Sequence, residues 1–168
     1  SLNKKIIRQS TGIKYLTSKH KGKPGILVSA GPSLDDTLPY LKQVRETAIF
    51  GCVDTALPIL SREGIWPHYV FSLDPQEESF RYFQEDLESP AKLIFTQTAN
   101  SKILHCYQGE KFIVFKKGPT THKEDDAIIK DKGSTMSGGS VSCLALDALV
   151  RFGCNPVFLI GQDLSFPN

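Results

Sequence analysis

The chain has 168 residues, enough for one domain with a substantial apolar core and too few for two domains of ordinary size. Its hydrophobic fraction of 40% and charged fraction of 23% are typical of a globular protein, and no stretch approaches the roughly 18 apolar residues of a membrane span. No secretion signal is visible, and the four cysteines form no CxxC pair, which argues against the common zinc and redox motifs. We therefore expect reduced thiols and a cytoplasmic protein.

Charge is distributed unevenly along the chain. Residues 1–24 contain seven lysines and arginines and no acidic residue, whereas the remainder contains 13 basic and 18 acidic residues, a net charge of −5. A basic segment of this kind is typical of a solvated helix that links to another part of a protein. Contact with an anionic membrane or with nucleic acid is the alternative, and the scarcity of aromatic residues among the lysines disfavours nucleic acid. We therefore interpret residues 1–24 as a basic helical linker and residues 25–168 as a nucleotide-binding domain.

The predicted secondary structure alternates between strands and helices. Apolar periodicity predicts a first helix over residues 2–18, and a Pro-Gly break follows it. In chain order, the predicted strands are 25–30, 47–53, 69–73, 92–97, 111–115 and 157–160. The predicted helices between them are 33–46, 55–63, 76–86, 101–107 and 141–152. This alternation indicates a Rossmann-like three-layer α/β/α fold with a mostly parallel sheet of about six strands.

A long polar segment, residues 116–137, separates the fifth strand from the last helix. Its glycines, proline and charges predict a flexible loop with one helical turn near residues 126–130. Loops of this length in compact domains are often lids or binding loops. His122 lies in this segment and is a candidate for a mobile catalytic acid or base, the alternative being a solvated loop residue.

Ligands of an open α/β sheet bind outside the carboxyl ends of its strands, so the residues that follow each strand form the candidate site. Gly31, Pro32 and Ser33 follow the first strand and lead into a helix, whose free N–H groups favour an anion. Ser33 and Asp36 also match a capping box, which is the structural alternative.

A second glycine-rich turn, Gly138, Gly139 and Ser140, leads into the last helix. Hydroxyl side chains surround it and no acidic residue follows until Asp147, so it favours a phosphate more strongly than the first turn does. It lacks the Gly-x-x-x-x-Gly-Lys-Ser/Thr pattern of a Walker loop. The alternative is a tight loop-to-helix turn packed against the sheet.

Three aspartates, Asp54, Asp74 and Asp163, each come directly after or just beyond a predicted strand. Carboxylates at such an edge can bind ribose hydroxyls, hold Mg²⁺ or act as a general base. Taken singly, each is also explained as a loop or helix cap. Their convergence on one edge favours a functional site.

Four segments together resemble the motility-associated factor (Maf) proteins: Ser29-Ala-Gly-Pro-Ser-Leu-Asp35, Phe71-Ser-Leu-Asp-Pro75, Ser137-Gly-Gly-Ser-Val-Ser142 and Leu159-Ile-Gly-Gln-Asp-Leu-Ser165. The shared domain also occurs in archaeal 6-hydroxymethylpterin pyrophosphokinases (MptE-like). It is distantly similar to bacterial sialyltransferases that carry a Gly-Pro-Ser loop after their first strand. Those sialyltransferases have an asparagine before this loop, where the present chain has Ser29 and Ala30.

The resemblance implies two activities. Maf proteins are implicated in flagellin glycosylation, the transfer of nonulosonic acids from a CMP-sugar to serine or threonine. The pterin enzymes transfer pyrophosphate from ATP with Mg²⁺, and under that alternative the aspartates hold the metal. A third alternative is a non-catalytic nucleotide-binding module. The sialyltransferase base is a histidine beyond the shared core, and His122 is the candidate for that role here.

Our prediction is therefore the core of a nucleotide-sugar-dependent glycosyltransferase that needs no cofactor and no resident metal, within a longer protein. The two glycine turns hold the phosphate of the donor, and Asp54 contacts the nucleotide. Asp74 or Asp163 positions the ribose or the acceptor hydroxyl. The expected partners are a nucleotide-sugar and flagellin, with neither nucleic acid nor a membrane span.

Overall fold

The computed structural model describes residues 2–116, 126–135 and 139–163. Its strands are β1 (Thr11–Gly12), β2 (Gly25–Val28), β3 (Ile49–Val53), β4 (Tyr69–Ser72), β5 (Lys92–Thr96), β6 (Lys111–Lys116), β7 (Ser134–Thr135) and β8 (Val157–Ile160). Its α-helices are α1 (Leu2–Gln9), α2 (Leu34–Val44), α3 (Leu57–Arg62), α4 (Glu77–Arg81), α5 (Ser101–Cys106), α6 (Asp126–Lys132) and α7 (Val141–Arg151). Two short 3-10 turns cover Ile13–Leu16 and Asp54–Ala56.

The strands form one parallel sheet in the order β1-β6-β5-β4-β3-β2-β8, and β7 pairs with the far end of β6. From β2 the chain builds the sheet in one direction as far as β6, and then returns to place β8 on the other side of β2. Val28 accordingly lies opposite Cys52 of β3 and opposite Ile160 of β8. The point where the strand order reverses, between β2 and β8, is where open α/β sheets bind their ligands.

The predicted three-layer α/β class is confirmed, and all six predicted strands are present. The strand count is higher than predicted because β1 and β7 add two pairs each to β6. Two residues are too few to produce a recognisable hydrophobic pattern, so neither strand could be detected from the sequence.

Side chains from the central strands make up most of the core. All the residues of β2, β3 and β4 are buried, as expected for parallel strands covered by helices on both faces. Helix α7 packs across β2, β3 and β4 through its predicted apolar positions, among them the fully buried Ala145 and Leu149. Its position places the α7 N-terminus at the carboxyl edge of the sheet.

The N-terminal helix is shorter than predicted, because it ends at Gln9 instead of continuing to residue 18. Gly12 then enters the sheet so close to the Lys132 backbone that a Cβ atom would clash there. Ile13 and Leu16 follow in the 3-10 turn and are buried in the core. The proposed domain boundary after residue 24 stays a prediction.

Two further segments differ from their predictions. The helix expected over residues 76–86 covers only Glu77–Arg81, and hydrogen-bonded turns continue from Tyr82 to Ser89. The polar segment contains more structure than the expected single turn, namely α6 and β7. Over the described ranges, no helix combines the length and the apolar character that crossing a bilayer requires.

Candidate functional site

Two adjoining cavities open at the carboxyl edge of the sheet, and we call them together the edge groove. The switch-point compartment, of about 610 Å³, is lined by Ser29, Ala30, Gly31, Val53, Asp54, Thr55, Val141, Ser142, Gly161, Gln162 and Asp163. The Asp74 compartment, of about 430 Å³, is lined by Asp54, Leu73, Asp74, Pro75, Thr98, Lys116, Gly139 and Val141. Asp54 and Val141 line both cavities, so the two compartments meet at these residues.

The floor of the switch-point compartment is the junction between the ends of β2 and β8. The Gly31 N–H donates to the Gly161 carbonyl at 2.7 Å, and the Ser29 N–H donates to the Ile160 carbonyl at 2.8 Å. Gly161 has φ +70°, and a Cβ atom on it would run into the Ser29 carbonyl. A Cβ atom on Gly31 would meet the Asp163 carboxylate and the Gly161 carbonyl. Both positions therefore require glycine.

Asp163 caps helix α2 across 130 residues of sequence. Its Oδ2 atom accepts the Ser33 N–H at 2.8 Å, and hydrogen bonds from the Ser33 hydroxyl and N–H lower the pKa of the carboxyl below its usual value. Ser33 itself makes no side-chain cap bond to the helix. The helix therefore starts where the Ser-x-x-Asp pattern predicts, with Ser33 as its N-cap, but without the side-chain bond of a capping box. The carboxylate that accepts the Ser33 N–H is that of Asp163 and not that of Asp36.

This arrangement uses the N–H groups that the first glycine turn was predicted to offer a phosphate. Gly31 donates to Gly161, Ser33 donates to Asp163, and Pro32 has no N–H. Their contact with a ligand stays a prediction. The backbone donors on which that prediction depended are nevertheless engaged within the protein.

The N-terminus of α7 offers the donors that the first turn lacks. The Ser140 hydroxyl accepts the Cys143 N–H at 3.2 Å. The N–H groups of Val141 and Ser142 have no hydrogen-bond partner among the described residues, as the first turn of a helix leaves them. Gly139 faces open space, since a Cβ atom on it would meet nothing within 4 Å. Gly138 lies outside the described residues, so the predicted cradle is described only from Gly139 onward.

The loop that carries Asp74 is held in place by residues of the connection between strand β5 and helix α5. Buried Asn100 donates through its backbone N–H to the Asp74 carbonyl at 3.1 Å, and its side chain donates to the Pro75 and Gln76 carbonyls. The Thr98 hydroxyl donates to the Leu73 carbonyl at 3.0 Å. Asp74 Oδ1 accepts the Gln76 N–H at 2.9 Å.

Asp54 is the most deeply buried carboxylate of the edge groove, with 7% of its surface exposed. Its Oδ1 atom accepts the Thr55 N–H at 2.9 Å, and Oδ2 makes no hydrogen bond to any part of the chain that the structure describes. Burial, opposed by the Thr55 hydrogen bond and reinforced by the nearby Asp74 charge, raises the pKa of Asp54 from 3.8 to about 6. A carboxyl in this range is ionised at neutral pH and still basic enough to accept a proton.

The sequence reasoning did not single out Lys116 and Thr98. Lys116 is the last residue of β6, and its backbone exchanges two hydrogen bonds of 3.0 Å with the Gln97 side chain. Both residues stand at or just beyond the carboxyl end of a strand, which is the signal that could have identified them. His122 lies outside the described residues. Asp74 and Asp163 line different compartments, and Asp54 lines both of them.

Comparison with known proteins identifies a family and two similar proteins. The family model described as 6-hydroxymethylpterin diphosphokinase MptE-like matches residues 2–168. The Maf glycosyltransferase structure from Magnetospirillum magneticum AMB-1 superposes with a TM-score of 0.69 at 20% identity, covering 99% of this chain and 28% of that one. A Treponema pallidum (strain Nichols) protein described as uncharacterized is 38% identical over 56 residues, or 33% of this chain and 26% of that protein. The matched regions thus cover about a quarter of the length of either relative. The resemblance to the Maf and MptE-like proteins is confirmed.

Proposed function

The chain belongs to the 6-hydroxymethylpterin diphosphokinase MptE-like family, and we propose that it is the core of a nucleotide-sugar-dependent glycosyltransferase. The proposed reaction transfers a nonulosonic, sialic-acid-like sugar from a CMP donor to a serine or threonine of flagellin. The glycosyltransferase part of the proposal is supported by the Maf enzyme with which the fold agrees. The donor sugar and the acceptor are supported by the four Maf-like segments of the sequence.

The observation that carries the proposal is the helix N-terminus at the strand-order reversal. Val141 and Ser142, the first two residues of an 11-residue helix, line the switch-point compartment at the positive end of that helix, and their N–H groups have no hydrogen-bond partner among the described residues. In transfer from a CMP-sugar the phosphate is the leaving group. Oriented N–H donors would stabilise the charge that develops on it as the bond to the sugar breaks.

The rest of the switch-point compartment suits a nucleoside. The Ser29 hydroxyl donates to the Gln162 side-chain carbonyl at 3.3 Å, which holds Gln162 at the compartment wall. Asp163 keeps its Oδ1 oxygen available beyond the bond that Oδ2 accepts from Ser33. We assign Gln162 and Asp163 as contacts of the ribose and the nucleobase. We assign Val141 and Ser142 as contacts of the phosphate.

The second candidate, an ATP- and Mg²⁺-dependent pyrophosphokinase, is favoured by the description of the family itself. Under that alternative Asp74 and Asp163 hold the metal. The two aspartates line different compartments, and the Asp163 carboxylate already accepts the Ser33 N–H. Over the described ranges no three ligand-type side chains are grouped closely enough to hold a metal ion. Asp74 and Asp163 therefore do not share one Mg²⁺ site in this arrangement.

Calorimetric titration with CMP and with ATP, each with and without Mg²⁺, separates the candidates. CMP binding that is independent of Mg²⁺ supports the glycosyltransferase, and Mg²⁺-dependent ATP binding supports the pyrophosphokinase. Gly139→Val should weaken CMP binding about tenfold or more, because the new side chain fills open space two residues before Val141, which lines both compartments and whose N–H is assigned to the phosphate. Gln84→Val, which adds the same apolar group at an exposed position away from the groove, is the control. Binding of neither nucleotide would contradict both enzymatic candidates.

A further inference from the structure

We propose that Asp54 is the catalytic base, and that the acceptor hydroxyl approaches it from the Asp74 compartment while the donor occupies the switch-point compartment. This inference rests on the proposed function. The sequence indicates Asp74, Asp163 and His122 as the catalytic candidates and Asp54 as a nucleotide contact. The present inference assigns the role of catalytic base to Asp54 instead.

The first argument is position. Asp54 is the one charged side chain that lines both compartments of the groove as described, and Val141 beside it carries one of the free N–H groups assigned to the phosphate. A donor held at the α7 N-terminus therefore places its reacting carbon next to Asp54. A second substrate in the Asp74 compartment reaches the same carboxylate from the other side.

The second argument is the state of the carboxylate. Thr55 holds Oδ1 through its N–H, which fixes the orientation of the group. Oδ2 is left without a hydrogen bond among the described residues, and it is the oxygen available to a substrate hydroxyl. Asp163 is the opposite case, because it is an exposed carboxylate whose basicity is lowered by the bonds from Ser33.

The third argument is the electrostatic setting. Burial and the facing Asp74 carboxylate raise the pKa of Asp54 to about 6. The other titratable groups around it are Lys116, across the Asp74 compartment, and Asp163, across the switch-point compartment. Cys52, a buried thiol of β3, stays neutral because burial raises its pKa. The adjoining turn of α7 contributes Gly139, Val141 and Ser142, none of which is charged.

The Asp74 compartment has the polar groups that a hydroxylated acceptor needs. Asp74 and Thr98 can hydrogen-bond to hydroxyl groups, and Lys116 supplies a positive charge. In the transfer step the acceptor oxygen forms a bond to the anomeric carbon, and its proton moves to Asp54 Oδ2. The bond from the anomeric carbon to the phosphate oxygen breaks, its electron pair stays on the phosphate, and CMP leaves.

The test measures CMP release from CMP-N-acetylneuraminic acid as a function of pH by the intact protein, with water or a serine-containing peptide as acceptor. Asp54→Asn should lower kcat at least 100-fold while changing CMP affinity less than threefold. Asp54→Glu should restore part of the rate. The wild-type rate should decrease below about pH 6 as a single group, Asp54, is protonated. Asp74→Asn should shift this decrease in rate to lower pH.

Asp86→Asn is the matched control, because Asp86 is also a buried aspartate with a raised pKa but its partner is Ser61, remote from the groove. It should leave the rate and its pH profile unchanged. Retention of the wild-type rate by Asp54→Asn would overturn the inference and leave the glycosyltransferase standing. A tenfold or larger loss of CMP affinity in Asp54→Asn would also overturn it, since Asp54 would then be a nucleotide contact. Absence of turnover by the wild-type protein would refute the proposed function and this inference with it.

Discussion

Replacing Asp54 with asparagine should stabilise the protein at neutral pH. Burial and the neighbouring Asp74 charge raise the pKa of Asp54 from 3.8 to about 6, a rise of about two pKa units. At about 1.4 kcal/mol for each unit, the ionised carboxyl costs the folded state about 3 kcal/mol. Asparagine removes the charge, and its side-chain carbonyl can still accept the Thr55 N–H that Oδ1 accepts now.

The sign of the effect depends on pH. The folded protein binds the Asp54 proton more tightly than the unfolded chain does, so this group costs nothing below the unfolded pKa of 3.8. The cost grows as pH rises from 3.8 to about 6 and stays constant above that pH. Asp54→Asn should therefore match the wild type near pH 4 and exceed it by about 3 kcal/mol at pH 7.5, a Tm difference of roughly 5–10 °C.

Urea denaturation at pH 4, 5, 6 and 7.5 measures this difference directly. Asp163→Asn is the control of opposite sign, because the pKa of Asp163 is lowered by its bonds from Ser33. That variant should lose stability above the unfolded pKa of the carboxyl. Equal stability of Asp54→Asn and the wild type at pH 7.5 would refute the reasoning, since it would mean that Asp54 is well solvated.

Two further perturbations test the architecture around the site. Gly31→Ala should lower the free energy of unfolding by about 1–3 kcal/mol, as measured by urea denaturation, because its Cβ would run into Asp163 and Gly161. Gly139→Ala should change that free energy by less than about 0.5 kcal/mol. Equal losses in the two variants would contradict this packing. Burial and the nearby Arg45 lower the pKa of His68 to about 4, and His68 Nδ1 accepts the Phe50 N–H. The free energy of unfolding should therefore decrease as pH falls from 6.5 towards 4, because the unfolded chain binds a proton at His68 more readily than the folded protein does. His68→Gln should show a weaker dependence of this free energy on pH over that range. Parallel curves of stability against pH for the two proteins would argue against a buried neutral histidine.

Local sequence patterns were sufficient to identify the main elements of the fold. Each of the six longer strands is a short apolar run bounded by turn residues, and parallel strands buried on both faces produce such runs. The rule that ligands bind at the carboxyl ends of these strands then placed Asp54, Asp74 and Asp163 at one edge. These inferences needed only residues that are neighbours in sequence together with a general property of parallel sheets.

The tertiary structure decided how that edge is used. Ser33 is the N-cap residue of α2, as its local pattern predicts, but the carboxylate that accepts its N–H belongs to Asp163, 130 positions away. The division of the edge groove put Asp74 in one compartment and Asp163 in the other, with Asp54 lining both. Burial of Asp54 and its proximity to Asp74, which together make it basic, also arise between separate strands.

The sequence by itself therefore determined the α/β class, the main strands and the edge where the site lies, because helical and strand periodicity are local properties of the chain. Which N–H groups are free, which carboxylates meet and which of them is buried were decided only when β8 and α7 packed beside β2 and β3. Those features depend on contacts between residues far apart in sequence, whose geometry no local pattern specifies.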